Sequence, residues 1–478
     1  MPVRPEDVEN LPYDCNDEKS ILRYAARLSK KSLRDLMEVG QEIIGGTNTK
    51  GYFGQIVEKE YFGMEPNNSS EPDFDAVGIE LKIAPLKKVS NRFESKERMV
   101  LGIIDYNEVP KKRFNTFTDK GSHILMLFYH WMPDTDVYDY KILKVVDWKP
   151  SENELRIIKE DWDIIEGFVI RGEAHLLSER HTKFLAANTK GVGHGKDMRT
   201  QPFSDIPAKQ RSLSFKASYV TSIYNSYPDV NEILIDGDDS YLTYDGSIFT
   251  RLWEKGVGFE DYVLGYLDRF KGLTCQEIEG ELGIDIDSSS KQYYHMLVMA
   301  MFGLPNRKYV RELKQANISV KTIRIKLNGT PKESMSFPAF RYDEIIEQTW
   351  ETSDFYEQLD HEFLFPVFSF NTNDTDVDRK SLTFKGAFFW SVPDEDLEII
   401  RNVWEDTKEK ILEDSFDNFV KASDKRISHV RPHAQNKDDT YTYKGRELKK
   451  KSFWFNNSYL KKIIEKNLKR SSSMKDFE

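Results

Sequence analysis

Cysteine is scarce in this chain: 478 residues contain two, Cys15 and Cys275, and neither belongs to a Cys-x-x-Cys pair. That excludes a disulfide scaffold and a thiolate zinc cluster. Long apolar runs are missing as well. Runs such as Ile124–Phe128, ILMLF, are far too short to span a bilayer. The opening MPVRPEDVENLPYD has no apolar core of a signal peptide. The expectation is a soluble, cytoplasmic protein with no membrane partner. No Gly-x-x-x-x-Gly-Lys-Ser/Thr loop occurs, so nothing points to ATP. The nine histidines are scattered along the chain, and Gly193-His194-Gly195 reads as a loop.

What is present is globular. Apolar residues make up 39%, aromatics 13% and charged residues 31%, enough to bury sizeable cores and too apolar for a disordered chain. The length calls for two or three domains. The formal charge is −11, but it is unevenly spread. Residues 226–290 hold 15 acids and 4 bases, which accounts for the whole excess. Two stretches are basic: 179–219, with 8 bases against 3 acids, and 443–470, with 10 against 2. Alone, each reads as a solvated charged face.

An internal repeat divides the chain at a spacing near 240 residues. SLSFKASYVTSI (212–223) recurs as SFWFNNSYLKKI (452–463). GIELKIAPL precedes Glu94-Ser95, and ISVKTIRIK precedes Glu333-Ser334. KGYFGQIVEKEYFG (50–63) recurs as KQYYHMLVMAMFG (291–303), and Asp161-Trp162 and Trp404-Glu405 each follow an amphipathic run. Four matches in one order argue for a duplicated domain. The halves are then 1–225 and 285–478, with 226–284 as an acidic linker or small helical module.

The first half reads as mixed α/β structure. Glu18 to Gly40 and Lys50 to Phe62 predict helices. Strand-like runs follow: VGIELKIAP, MVLGIIDY, HILMLFYHW and DYKILKVVDW. Asn153 to Ile170 is helical again. The fold class is α/β, a mixed sheet flanked by helices, occurring twice.

Chemistry concentrates in EPDFDAVGIELKIAP. Glu80 and Lys82 are two apart in a strand-like run and project from one face, while Leu81 turns to the core. A bend at Pro72-Asp73 and Gly78 would bring Asp73 beside Glu80. Adjacent carboxylates repel unless a hard cation such as Mg²⁺ sits between them. A nearby lysine can neutralise a phosphate oxygen and orient or deprotonate water. The triplet alone also fits a surface strand carrying a Glu–Lys pair. A fourth group, Glu58, lies in an otherwise apolar helix, where it faces either a site or solvent.

KGYFGQIVE followed by PDFDAVGIELKIAP resembles the active-site region of the MutH mismatch-repair nucleases and their two-domain, staphylococcal-type restriction-enzyme relatives. The resemblance continues through SKERMVLGIIDYNEV, QPFSDIPAKQRSLSFKASYVTSI, KESMSFPAF, HVRPHAQN and KKKSFWFNNSYLKK, so it covers most of the chain. It implies two tandem PD-(D/E)xK domains. It assigns Asp73 and Glu80 as metal ligands, Lys82 as the catalytic lysine and Glu58 as the carboxylate assisting the metal, with Mg²⁺ as cofactor. It further implies a type II restriction endonuclease that cuts double-stranded DNA at GATC, 5′ of the G.

The second half departs from the pattern. At an offset of 239, Glu312, Ser319 and Lys321 stand for Asp73, Glu80 and Lys82; in the repeat that matches Lys50 with Lys291, Met299 falls opposite Glu58. Serine and thioether do not replace carboxylates around Mg²⁺, so this half is expected to bind DNA without cutting it, as an allosteric effector domain. Arg431 and His433 resemble the family's DNA-recognition loop. In the first half Lys190, Lys196 and Arg199 are candidates for DNA contact, with Lys216 from the same basic stretch and Lys50 at a helix start. Cutting both strands with one active domain implies transient pairing of two copies on DNA. A strand-nicking repair enzyme and a non-catalytic DNA-binding regulator remain the alternatives.

Overall fold

The computed structural model describes residues 11–36, 51–64, 71–189, 197–227, 247–248, 256–434, 436 and 438–473. The chain forms two compact units, Met1–Phe249 with Arg311–Asn317, and Thr250–Val310 with Ile318–Glu478.

In the first unit the central sheet runs β2-β1-β4-β5, built from β1 (Glu80–Val89), β2 (Arg92–Ser95), β4 (Ile124–His130) and β5 (Ile142–Trp148). β1 pairs parallel with β4 from Glu80↔Ile124 onward; β2 and β5 are antiparallel to their neighbours. β4 is buried from Ile124 to Tyr129 because both sheet faces are covered, which explains its unbroken apolar run ILMLFY. A second sheet, β3-β9-β6, joins β3 (Met99–Ile103), β9 (Arg211–Phe215) and β6 (Leu185–Thr189). A hairpin of β7 (Met198–Gln201) and β8 (Ser204–Lys209) extends from it in sequence.

The helix Glu152–Ile170 starts on a capping box: Ser151 Oγ accepts from Glu154 N, and the Glu154 carboxylate accepts from Ser151 N. It buries Trp162 completely. The helix expected over Glu18 to Gly40 is shorter, Glu18–Ala26. It stops because the following chain joins the sheet: Lys30 N donates to Ile142 O, and Ile142 N donates to Lys31 O.

The second unit repeats this plan. β13 (Phe363–Ser369) pairs parallel with β10 (Ser319–Val320) and β11 (Ile323–Ile325) and antiparallel with β14 (Thr383–Trp390). The register begins at Ser319↔Phe363, the same separation along the chain as Glu80↔Ile124. Its three-stranded sheet is β12-β18-β15, from β12 (Met335–Phe340), β18 (Lys451–Phe455) and β15 (Ser428–Pro432). A hairpin of β16 (Thr440–Tyr443) and β17 (Arg446–Lys449) corresponds to β7 and β8. The helix Asp394–Leu412 buries Trp404 as Glu152–Ile170 buries Trp162. Two tandem α/β domains of one plan are thus traced strand by strand.

The domain boundaries differ from those expected at 225 and 285. The described part of the acidic segment is helical, Phe259–Asp268 and Cys275–Leu282. It docks on the second unit's sheet through Gly272 N to Phe384 O, Phe384 N to Leu273 O and Cys275 N to Leu382 O. Buried Phe259, Val263, Leu267, Phe270 and Ile278 make these helices part of that unit rather than a linker. Among the described residues no helix is long and apolar enough to cross a membrane.

Candidate active site

The four carboxylate and lysine positions singled out in the first half converge at the start of β1. Phe74 and Ile79 exchange backbone hydrogen bonds around a 3₁₀ turn, Asp75–Val77. The turn closes through Gly78 at φ +70°, a conformation that favours glycine. It folds Asp73 back onto β1, where its Oδ2 accepts from Leu81 N at 2.9 Å. Lys82 Nζ donates to Glu80 Oε1 at 2.5 Å, as their shared strand face predicts.

Glu80 is buried, at 1% exposure. A second cation reaches the same oxygen: Lys120 Nζ lies 3.3 Å from Glu80 Oε1. Lys120 sits on the helix Asn115–Gly121 just before β4, so the parallel pairing of β1 with β4 carries it to the site. The sequence reading missed it, since a lysine 38 residues beyond Lys82 has no local tie to the motif.

Glu58 belongs to a π-helical turn, Val57–Tyr61, that continues the helix Tyr52–Ile56. Such turns are rare and concentrate at functional sites. Burial, and then the charge of Asp73, push the Glu58 carboxyl up to about 7, against the opposing pull of Lys82. Burial likewise raises Glu80 above the usual carboxylate range, with Lys82 pulling the other way. Glu80 Oε2 is buried and has no hydrogen-bond partner. Acids near enough to shift one another's protonation, one with an orphaned buried oxygen, fit a hard, oxygen-seeking cation, because their bare charge costs free energy that a cation would offset.

The corresponding place in the second unit has other chemistry. Ser319 Oγ and His361 Nε2 are 3.0 Å apart, with His361 buried. Met299 is fully buried on the helix Tyr293–Met301. Lys321 forms no ion pair among the described residues, and desolvation lowers its pKa. Glu312, opposite Asp73 by offset, lies on the helix Arg311–Gln315, within the first unit. Its carboxylate accepts from Ser247 Oγ and from Ile248 N. The acid kept in the sequence is therefore committed elsewhere in space.

The DNA-contact candidates divide. Lys50, Lys190 and Lys196 lie outside the described residues. Arg199 is exposed on β7, beside Gln210 Oε1. Lys216 is a correction: it is buried at 3% exposure and its Nζ donates to Thr182 O. An ammonium spent on an internal carbonyl does not face a duplex; the sequence registered its charge and not its burial.

In the second unit Arg431 stacks on Trp454, guanidinium carbon 3.7 Å from the ring centroid. His433 Nδ1 bonds Ser452 Oγ at 2.7 Å, and its ring lies 5.4 Å from that of Trp454. Arg431 lies on β15 and His433 just past its end, and both side chains approach the Trp454 ring. Register identifies the first-unit counterpart of Arg431. Leu185↔Phe215 matches Ser428↔Phe455, which sets Asn188 in the place of Arg431 and Ala186 in that of His429. Asn188 Oδ1 accepts from Ser212 Oγ and Ser214 Oγ. Its amide hydrogens remain for another partner. The sequence reading preferred the neighbouring cations and passed over it.

A mixed sheet that gathers acids and lysines at one strand's start, beside a smaller antiparallel sheet, is the architecture of a metal-assisted nuclease. The family described as DNA mismatch repair enzyme MutH matches the chain twice, at residues 62–161 and 304–403. The type II restriction enzyme Sau3AI of Staphylococcus aureus is 32% identical over 484 residues, covering 89% of this chain and 95% of that protein. The mismatch repair protein MutH of Shewanella woodyi is 32% identical over 183 residues, 34% of this chain and 76% of its own. MutH of Escherichia coli strain SMS-3-5 is 22% identical over 213 residues, 43% of this chain and 91% of its own. The chain belongs to the MutH/Sau-type restriction endonuclease family.

Proposed function

We propose that this protein is a two-site type II restriction endonuclease acting on double-stranded DNA at GATC, cutting 5′ of the G with Mg²⁺. The observation that carries the reading is the contrast between the two units: Asp73, Glu80, Lys82 and Glu58 converge in the first, while Ser319 and Met299 stand at the matching places in the second. The GATC preference follows from the resemblance to the staphylococcal-type enzymes, whose likeness extends through both halves.

Asp73 and Glu80 would hold the Mg²⁺, with Glu58 assisting. Bound there, the ion supplies an activated water and charge neutralisation at the phosphate. Lys82, fixed by Glu80 from the same strand face, holds a phosphate oxygen or the attacking water in line. Lys120 balances the negative charge of the same carboxylate.

The second unit binds another copy of the site and favours the cleaving state of the first. Such coupling is reciprocal in binding. Two active units, one from each of two transiently paired chains, cut the two strands of a twofold site.

The test is plasmid cleavage in Mg²⁺ with the ends mapped. Two GATC sites on one plasmid should be cut faster than a single site, because tethering raises effective concentration. A short GATC duplex added in trans should rescue the single-site plasmid. Equal rates without rescue would remove the effector role. Nicked circles with no linear product would move the assignment to a strand-nicking repair enzyme.

A further inference from the structure

The sheet that carries the nuclease residues holds a second cluster of potential metal ligands on its other face. Glu18, His123 and Asp147 each place one ligand atom so that all lie within 4.8 Å of one another. They come from three elements: Glu18 from the first turn of the helix Glu18–Ala26, His123 from the residue before β4, and Asp147 from β5. Register fixes the face. Leu81 pairs with Leu125, and Leu125 with Asp147, so Asp147 projects with the leucines and opposite to Glu80 and Lys82.

The cluster is underpaired. Asp147 is buried at 1% exposure. One of its oxygens bonds His123 Nε2 at 2.5 Å, and the other, Oδ2, is buried without any hydrogen-bond partner. His123 is itself nearly buried, at 10% side-chain exposure, while Glu18 opens to solvent at 42%. The nearest cation is Lys149, whose Nζ is 3.7 Å from Glu18 Oε1; no ion pair between Lys149 and Asp147 is formed. A buried carboxylate oxygen left unsatisfied keeps its full desolvation cost. That cost invites a positive group between the three side chains.

We propose that Glu18, His123 and Asp147 bind a divalent first-row transition metal of the Zn²⁺ type, distinct from the Mg²⁺ site. The donor set decides the class. One imidazole nitrogen with two carboxylates suits Zn²⁺, with water completing the shell, whereas Mg²⁺ favours oxygen alone. The two sites therefore select different ions.

The position gives the metal a structural consequence. His123 O accepts from Glu80 N at 3.1 Å, so an ion that fixes His123 also steadies the residue at the head of the nuclease cluster. It would pin the N-terminal helix to β4 and β5 as well. Its role is in positioning and stability, not in the reaction.

The experiment uses the full chain carrying Asp73→Asn, which weakens the Mg²⁺ site, in buffer saturated with Mg²⁺. Zn²⁺ is titrated calorimetrically, and Co²⁺ is followed by visible absorption. The expected result is one equivalent of either ion bound, a nitrogen-ligated Co²⁺ band, and a thermal midpoint that rises with Zn²⁺. His123→Asn should weaken binding by about 100-fold, and Glu18→Gln by about 10-fold. Glu18 is half-exposed, so Glu18→Gln tests the site without threatening the fold. No Zn²⁺-dependent rise in midpoint, or equal Zn²⁺ affinity in the Glu18→Gln and His123→Asn proteins, would overturn the proposal.

Discussion

At the head of β1 a buried carboxylate holds two lysines; at the matching head of β10 a serine hydroxyl meets a histidine. The strands share one register with their parallel partners, and both units bury a tryptophan on a long helix over the sheet. What differs is charge. The first unit keeps Glu80 and Glu58 in surroundings that raise their pKa values. The second has replaced those acids with groups that need no cation. The fold survives this exchange because its stability resides in the apolar positions, while the acids are a standing electrostatic cost. The comparison therefore separates residues that make the fold from residues that make the reaction.

The sharpest way to break the comparison is to remove the acids where they remain. Asp73→Ala, Glu80→Ala and Lys82→Ala should each slow plasmid cleavage by about 10³-fold or more, with binding to a labelled GATC duplex retained. Ser319→Ala, at the position matching Glu80, should leave the intrinsic cutting rate within about threefold of the parent, since a lost neutral hydrogen bond shifts local stability by only ~1 kcal/mol. Near-parental cleavage by Glu80→Ala would end the assignment. Glu58→Gln should be milder, about 10- to 100-fold, as for groups that support a metal through its outer contacts.

A second contrast lies on the small sheets. His429 is buried in the second unit with neither ring nitrogen hydrogen-bonded, where the first unit has Ala186. Burial, and then Arg431, hold the imidazole down to about 4 from its ordinary 6.5. The unfolded chain thus binds a proton between those values that the folded chain refuses. Stability should be full above pH 6.5 and fall as pH drops toward 4, by at most about 3 kcal/mol. Denaturant unfolding at pH 7 and pH 5 should show this loss, and His429→Leu should remove most of it. A pH-independent parent would show that the ring finds a partner.

The smallest effect concerns recognition. Arg431→Ala should weaken binding to GATC duplex by about 1–3 kcal/mol and spare binding to unrelated DNA. Competition titrations at fixed salt would measure both. A uniform loss on all sequences would make Arg431 a phosphate contact. Asn188→Ala, at the matching place in the first unit, should lower cleavage specificity without touching the metal cluster.

Much of this was legible in one dimension. The period-two pattern of VGIELKIAP set Glu80 and Lys82 on one face, and Gly78 marked the turn that returns Asp73. The repeat announced a second α/β domain before any strand was paired. Charge, however, is visible in a sequence while burial is not, and Lys216 was misassigned for that reason. The same blindness left the acidic segment open between a linker and a small helical module, and its buried apolar residues favour the module.

The sequence by itself determined the duplication, the carboxylate–lysine strand and the loss of acids from the second copy. These depend on residue type and spacing along one element. The tertiary structure alone decided that Lys120 shares Glu80, that Glu312 is spent on Ser247 and Ile248, and that Glu18, His123 and Asp147 converge behind the nuclease cluster. Each of these joins elements tens of residues apart, and the first and last do so through strand register. Register is fixed by the packing of whole faces, a property that no local window of sequence contains.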